Sequence, residues 1–318
     1  MVKNLDQWSI PGLFESSIEE MIQGSFMMFQ RMALIFNLNI DDSKLVSFLT
    51  AIAHKYRTGN YYHNFYHAFF VCHRVYKLLT SSEIYPLTHR EMLCLLIAAV
   101  CHDVDHPGTD NDFEIQTYSE LTLTYNDVSV LENHHAATCF KTAKSGEDCN
   151  VFSFLGKDEF KMVRTTIIDC ILATDMKGHF SLIASIEQTN GLALEHNETM
   201  AMNLILHAAD VGSMLTPLED SMEWTNRVIA EFQVQATRCR EEGINVPAHM
   251  KDLEGMQKQA RLQIDFVDYI VAPLWNIVIK RDEEQLNDLK EYLDETRREF
   301  VRRAEGGQEE EAGEKRGK

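Results

Sequence analysis

Residues 92–111 read MLCLLIAAVCHDVDHPGTDN, an unbroken apolar run of ten followed at once by two histidines and three aspartates. Thr88, with Glu91 three residues on, supplies the capping-box pattern that starts a helix just before the run. A helix apolar on every side belongs at the centre of a fold. His102 and Asp103 therefore stand at the C-terminal end of a buried helix. Unpaired charge at a core edge is costly, and a metal ion is the partner that best suits histidine and aspartate together.

Helical spacing recurs outward from this stretch. Residues 43–57 carry Leu45, Phe48, Leu49, Ile52, Ala53 and Tyr56 on one stripe, with Gly59 as the expected stop. Further helices are predicted over 128–143, 158–173, 198–211, 217–241 (opened by Pro217) and 254–279, the last with a kink at Pro273. Between the last two, EEGINVPAHMKDLEG reads as a loop over a surface or a pocket mouth. Glycine and proline are scarce, at 15 and 6, and strand-like alternation is hard to find, so the fold class is all-α. The low-complexity end AEGGQEEEAGEKRGK, residues 304–318, is expected to be a disordered charged tail.

A net charge of −19 disfavours a binder of nucleic acid or anionic membrane, which relies on clustered cationic side chains. Seven cysteines, widely spaced and without C-x-x-C, indicate neither a disulfide framework nor a zinc knuckle and fit a reducing cytoplasm. The N-terminus has no signal-peptide core, and no run comes near the roughly 18 apolar residues of a membrane span. The expectation is a cytoplasmic protein with no membrane span.

Nine of the thirteen histidines lie between residues 54 and 135. YYHNFYH (61–67), HDVDH (102–106), LENHH (131–135) and HAADVG (207–212) stand out. His63 and His67 are four apart and, on a helix, would share a face. Asp210 ends another apolar helix, a poor place for a bare carboxylate. A ligand set such as His67, His102, Asp103 and Asp210 suits zinc, and a carboxylate with free lone pairs can bridge to a harder, hydrated ion such as magnesium. Two such ions supply the local positive charge that the acidic chain lacks.

YHNxxH (62–67), HDVDHPG (102–108), YNDxSVLENHH (125–135), TDM (174–176), HAAD (207–210) and QxxFVDYIVxPLW (263–275), in that order, resemble the catalytic domain of the class I cyclic-nucleotide phosphodiesterases, within the wider HD metal-phosphohydrolase group. The resemblance implies a compact multi-helix catalytic domain over residues 1–303, with its motif core at about 55–280. It implies zinc on His67, His102, Asp103 and Asp210, with Asp103 bridging to magnesium or manganese. It makes His63 the general acid that protonates the departing 3′-oxygen while a metal-bridging hydroxide attacks phosphorus, so that a cyclic nucleotide becomes a 5′-monophosphate. His106, Asn111, Glu132, His134, Thr174 and Asp175 would orient ligands and metal-bound waters.

By the same match Gln263 would read the purine edge, Phe266 and Val228 would sandwich the ring, and Tyr62 and Ser213 would line the substrate site. Without the match, Phe266 and Val228 read as plain core residues. Ser213 stands where several cAMP-selective members carry asparagine, which leads to an expectation of hydrolysis of both cAMP and cGMP, with cAMP the main substrate. The competing readings are hydrolysis of a different phosphorylated nucleotide and a non-catalytic nucleotide sensor that retains the fold.

Overall fold

The computed structural model describes residues 5–81 and 85–306. Among the described residues every regular element is helical. In chain order the α-helices are α1 (Ile18–Arg31), α2 (Leu34–Leu38), α3 (Asp42–Ala53), α4 (Phe65–Ser81), α5 (His89–Cys101), α6 (Asn111–Gln116), α7 (Glu120–Tyr125) and α8 (Val130–Ala143). They continue with α9 (Lys157–Leu172), α10 (His179–Glu187), α11 (Leu192–His196), α12 (Glu198–Asp210), α13 (Leu218–Glu241), α14 (Met256–Phe266), α15 (Ala272–Ile279) and α16 (Glu283–Ala304). The all-α class holds.

The capping box of Thr88 and Glu91 is present, and every residue of α5 from Leu93 to Cys101 is buried. α5 packs on α4 and α9, and α12 packs on all three, so α4, α5 and α12 form one mutually contacting core layer. α1 lies against α4 and comes very close to it at Gly24, where an added Cβ would sit 2.9 Å from the Phe69 ring. In an open helix a Gly→Ala change gains stability through propensity. Gly24→Ala will instead cost about 1–3 kcal/mol by overpacking, read as a lower urea midpoint at unchanged m-value; a gain would show that the two helices can part freely.

Four points differ from the sequence reading. The helix expected to run to Gly59 ends at Ala53, where the His54 ring turns back to within 2.8 Å of the Thr50 carbonyl, yet Tyr56 keeps its buried place and donates to Val100 O at 2.9 Å. His63 is not on a helix with His67. Asn64 accepts from Tyr66 N–H at 2.9 Å in the manner of an N-cap, so α4 begins one residue later and His63 stays in the preceding turn. The kink expected at Pro273 takes the form of a π-helical turn, Val267–Val271, because proline offers no N–H to the carbonyl four residues back.

The fourth concerns apolar length. The rod Met256–Ile279 is 24 residues long with a mean hydropathy of 1.4 in its best window, long and apolar enough to span a membrane by length and composition alone. It packs on α12 and α16, burying Gln263, Val271, Leu274 and Trp275, and Arg297 of α16 grips its Asp268 through two bonds of 2.6 and 2.8 Å. α16 itself runs to Ala304, and residues 307–318 of the expected tail lie outside the described residues.

Candidate metal centre

Each helix of the α4, α5 and α12 layer delivers part of one cluster. His67 lies in the first turn of α4, His102 caps α5 with Asp103 next to it, and Asp210 is the last residue of α12. His67 Nε2 is 3.0 Å from Asp210 Oδ1 and 3.4 Å from Asp103 Oδ2. His102 Nε2 is 3.2 Å from each of those oxygens, and the two Nε2 atoms are 3.2 Å apart. Donors about 2.0–2.1 Å from a common ion stand about 3.0–3.4 Å from one another, depending on geometry. The cluster already has that span.

Proton placement points the same way. His102 Nδ1 donates to Ala99 O at 2.8 Å, which turns the Nε2 lone pair toward the cluster. Two imidazoles and two carboxylates thus crowd a site short of positive charge. Burial opposes charging His102, but Asp103 and Asp210 outweigh it and push the imidazole well above its ordinary value. Burial likewise opposes the Asp103 and Asp210 charges, and His102 outweighs it, holding both carboxyls well below the usual range. α5 and α12 also aim their partially negative C-terminal ends here, which favours a cation. The donor set fits a divalent metal ion.

On the far side of Asp103, His135 Nε2 stands 3.7 Å from Oδ1, its Nδ1 donating to Val104 O at 2.9 Å. His63, His106 and His135 form a near-parallel row, with ring centroids 4.0 and 5.6 Å apart. Gly108, at φ +77°, lets its N–H reach His106 Nδ1 at 3.0 Å, and a side chain there would meet Asn60 at 2.8 Å. Asn60 Nδ2 donates to both His63 O (2.9 Å) and His106 O (2.8 Å), tying the two loops together.

His63 is gripped from α13. Glu231 Oε1 takes a very short bond from its Nδ1, while Oε2 accepts the backbone N–H groups of Tyr62 and His63 at 2.8 and 3.1 Å. Burial works against a charged His63, but Glu231 outweighs it, with help from Asp103 and Asp210, and raises the imidazole to about 9. The same pairing holds the buried Glu231 carboxyl down at about 2.

A cavity of about 310 Å³ opens beside the cluster, with Asp103, Asp210, His63 and His106 on one wall and Asn111, Glu132, Thr174 and Asp175 on another. Asn111 Nδ2 donates to both Glu132 oxygens at 3.0–3.1 Å, and burial together with Asp175 pushes that carboxyl up to about 7. Thr174 donates to Ile171 O at 2.8 Å. His134 turns away from the cluster to Asp105 at 2.8 Å, and it is His135 that faces Asp103.

None of the residues expected to hold the base lines this cavity. Gln263 is buried on α14, Phe266 packs half-buried against the core, and Val228 is half-buried on α13. Tyr62 lies against His67, centroids 4.7 Å apart, and Ser213 is buried. Glu231 and His135 escaped the sequence reading. The signal for Glu231 was a carboxylate at helical spacing with Trp224, Val228 and Gln235, interrupting a buried stripe.

Residues 62–295 match the family described as 3′5′-cyclic nucleotide phosphodiesterase. The chain is 35% identical over 277 residues to the 3′,5′-cyclic-nucleotide phosphodiesterase regA of Dictyostelium discoideum, covering 84% of this chain and 34% of that protein. It is 36% identical over 282 residues to the 3′,5′-cyclic-AMP phosphodiesterase 4C of Mus musculus, covering 84% and 40%. The chain thus spans well under half the length of these two relatives. Among solved structures, the phosphodiesterase domain of the RhoPDE fusion protein from the choanoflagellate Salpingoeca rosetta superposes with a TM-score of 0.88 at 33% identity, covering 95% of this chain and 96% of that one.

Proposed function

Because the chain belongs to the 3′,5′-cyclic nucleotide phosphodiesterase family, we propose that it hydrolyses cAMP, and also cGMP, to the nucleoside 5′-monophosphates and so terminates cyclic-nucleotide signalling. The observation that carries this reading is the convergence of His67, His102, Asp103 and Asp210, each imidazole Nε2 standing 3.0–3.4 Å from an oxygen of both carboxylates, beside an imidazole that Glu231 keeps charged. His67, His102, Asp103 and Asp210 would hold a zinc ion, and Asp103 would also help to hold a magnesium or manganese ion. Bound cations supply Lewis acidity, polarising a phosphoryl group and acidifying water.

The remaining work falls to the chain's own side chains. His63, charged at neutral pH and held at Nδ1 by Glu231, has its Nε2 proton free to give to a departing 3′-oxygen. Asn111, Glu132, His106, His135, Thr174 and Asp175 line or border the cavity with donors and acceptors suited to ordering water. Glu132, raised to about 7, can either donate or accept there near neutrality. Gln263, Phe266 and Val228 would take the base outside that polar cavity, one amide edge against the purine and one aromatic face against its ring. Seven free thiols, among them the buried Cys72, Cys101 and Cys139, support a reducing, cytoplasmic setting for a single catalytic domain over residues 1–303.

The test is direct. Purified protein with Mg²⁺ or Mn²⁺ will convert 3′,5′-cAMP and cGMP to 5′-AMP and 5′-GMP by chromatography, with cAMP turned over faster. EDTA with 1,10-phenanthroline will abolish turnover, and Zn²⁺ plus Mg²⁺ will restore it. Inactivity on both cyclic nucleotides across Mg²⁺, Mn²⁺ and Zn²⁺ sinks the proposal, and turnover of another phosphorylated nucleotide in the same panel would replace it.

A further inference from the structure

Ser129 occupies the N-cap of α8 but does not cap it. N-cap residues sit in the extended region and accept an N–H of the next turn, whereas Ser129 is left-handed, at φ 40° and ψ 56°, and makes no side-chain bond to its own helix. Its hydroxyl instead donates to Asp175 Oδ2, 46 residues along the chain, at 2.7 Å. The corner around it is left-handed at three of four positions, with Asn126 at φ 53° and Asp127 at φ 65°. Non-glycine residues adopt this region at a cost, and such strain persists where the surroundings over-determine it.

The surroundings here are specific. Asn133 Nδ2 donates to Val128 O and Ser129 O at 2.9 and 3.1 Å, pinning the corner from inside α8. The first turn of α8 then delivers Leu131 N–H to Asn111 Oδ1 at 2.9 Å and the Glu132 carboxylate to Asn111 Nδ2. Asp175 Oδ1 is already committed to Lys177 N–H at 2.9 Å, so Ser129 fixes the remaining oxygen. One hydroxyl thereby ties the loop that carries Asp175 to the helix that carries Glu132, across a cavity that both line.

We propose that Ser129 is a positioning residue for the second cation, orienting the Asp175 carboxylate toward the waters of that ion; this rests on the metal reading of the cavity given above. Without the hydroxyl, Asp175 Oδ2 loses its anchor, the carboxylate is held only at Oδ1 by Lys177 N–H, and the strained corner no longer serves a bond.

Mn²⁺ binding to the zinc-loaded protein, titrated by electron paramagnetic resonance without nucleotide, tests this. In Ser129→Ala and Ser129→Gly the Mn²⁺ Kd will rise about 10- to 100-fold, with zinc content unchanged. The glycine variant will melt above the alanine one, because glycine relieves the left-handed backbone. Ser129→Asn, which tolerates this conformation and restores a donor, will recover most of the affinity. Unchanged Mn²⁺ affinity in both the alanine and glycine variants overturns the proposal. So does weakening in alanine alone, which would assign the effect to the backbone, and so does loss of zinc together with manganese, which would mark a general collapse of the site. A parent protein that binds Mn²⁺ in this Ser129-dependent way but hydrolyses no cyclic nucleotide would remove the proposed reaction and leave the clamp standing.

Discussion

Asp210→Ala will purify with less than about one tenth of the zinc of the parent protein, measured by inductively coupled plasma mass spectrometry, and with no measurable cyclic-nucleotide turnover. Asp210 Oδ1 stands 3.0 Å from His67 Nε2 and 3.2 Å from His102 Nε2, so its removal takes one donor from a set of four. The two imidazoles would then face one another with only Asp103 between them in charge. Full zinc occupancy in the variant would take Asp210 out of the ligand set. Circular dichroism separates metal loss from unfolding, because α12 is otherwise built from the buried Leu204, Ile205, Leu206 and Ala208.

His63→Ala gives the opposite split. Zinc will remain, since His63 belongs to the turn before α4 and not to the set of four, while kcat falls by about 10²- to 10⁴-fold, the usual worth of a general acid. Glu231→Gln tests the same pair through pH. Glu231 raises the folded His63 to about 9, so the charged, proton-donating form persists below that pH and is lost above it. Removing the carboxylate brings the imidazole down toward its ordinary value of about 6.5, and the basic limb of the kcat profile moves to lower pH. The deficit will be small at pH 6 and reach about tenfold or more by pH 8.5. A uniform deficit across pH would make Glu231 only a backbone anchor for Tyr62 and His63.

The cluster was legible because each of its members interrupts or ends an apolar segment: His67 inside FYHAFFVC, His102 and Asp103 after MLCLLIAAVC, Asp210 after LILHAA. Costly polar groups at core edges advertise themselves even when 143 positions separate them. What was not legible depended on direction. His134 and His135 are neighbours in the chain, and only the twist of α8 decides that the second faces Asp103 while the first pairs with Asp105. The four-residue spacing of His63 and His67 suggested a shared helical face, but Asn64 starts α4 between them, and the two rings, 5.9 Å apart, meet through a turn. Ser129 carried no signal in the sequence, and only its left-handed backbone and its distant acceptor reveal a use.

Asn60 has a consequence for how a ligand would be received. Its single amide stitches the carbonyls of His63 and His106, so the residue proposed to release a proton and the turn that follows Asp103 move as one piece. A guest arriving beside them finds that wall of the cavity already set. Little reorganisation is left to occur on arrival, and a small entropic penalty on capture follows from a link made by a residue outside the cavity lining.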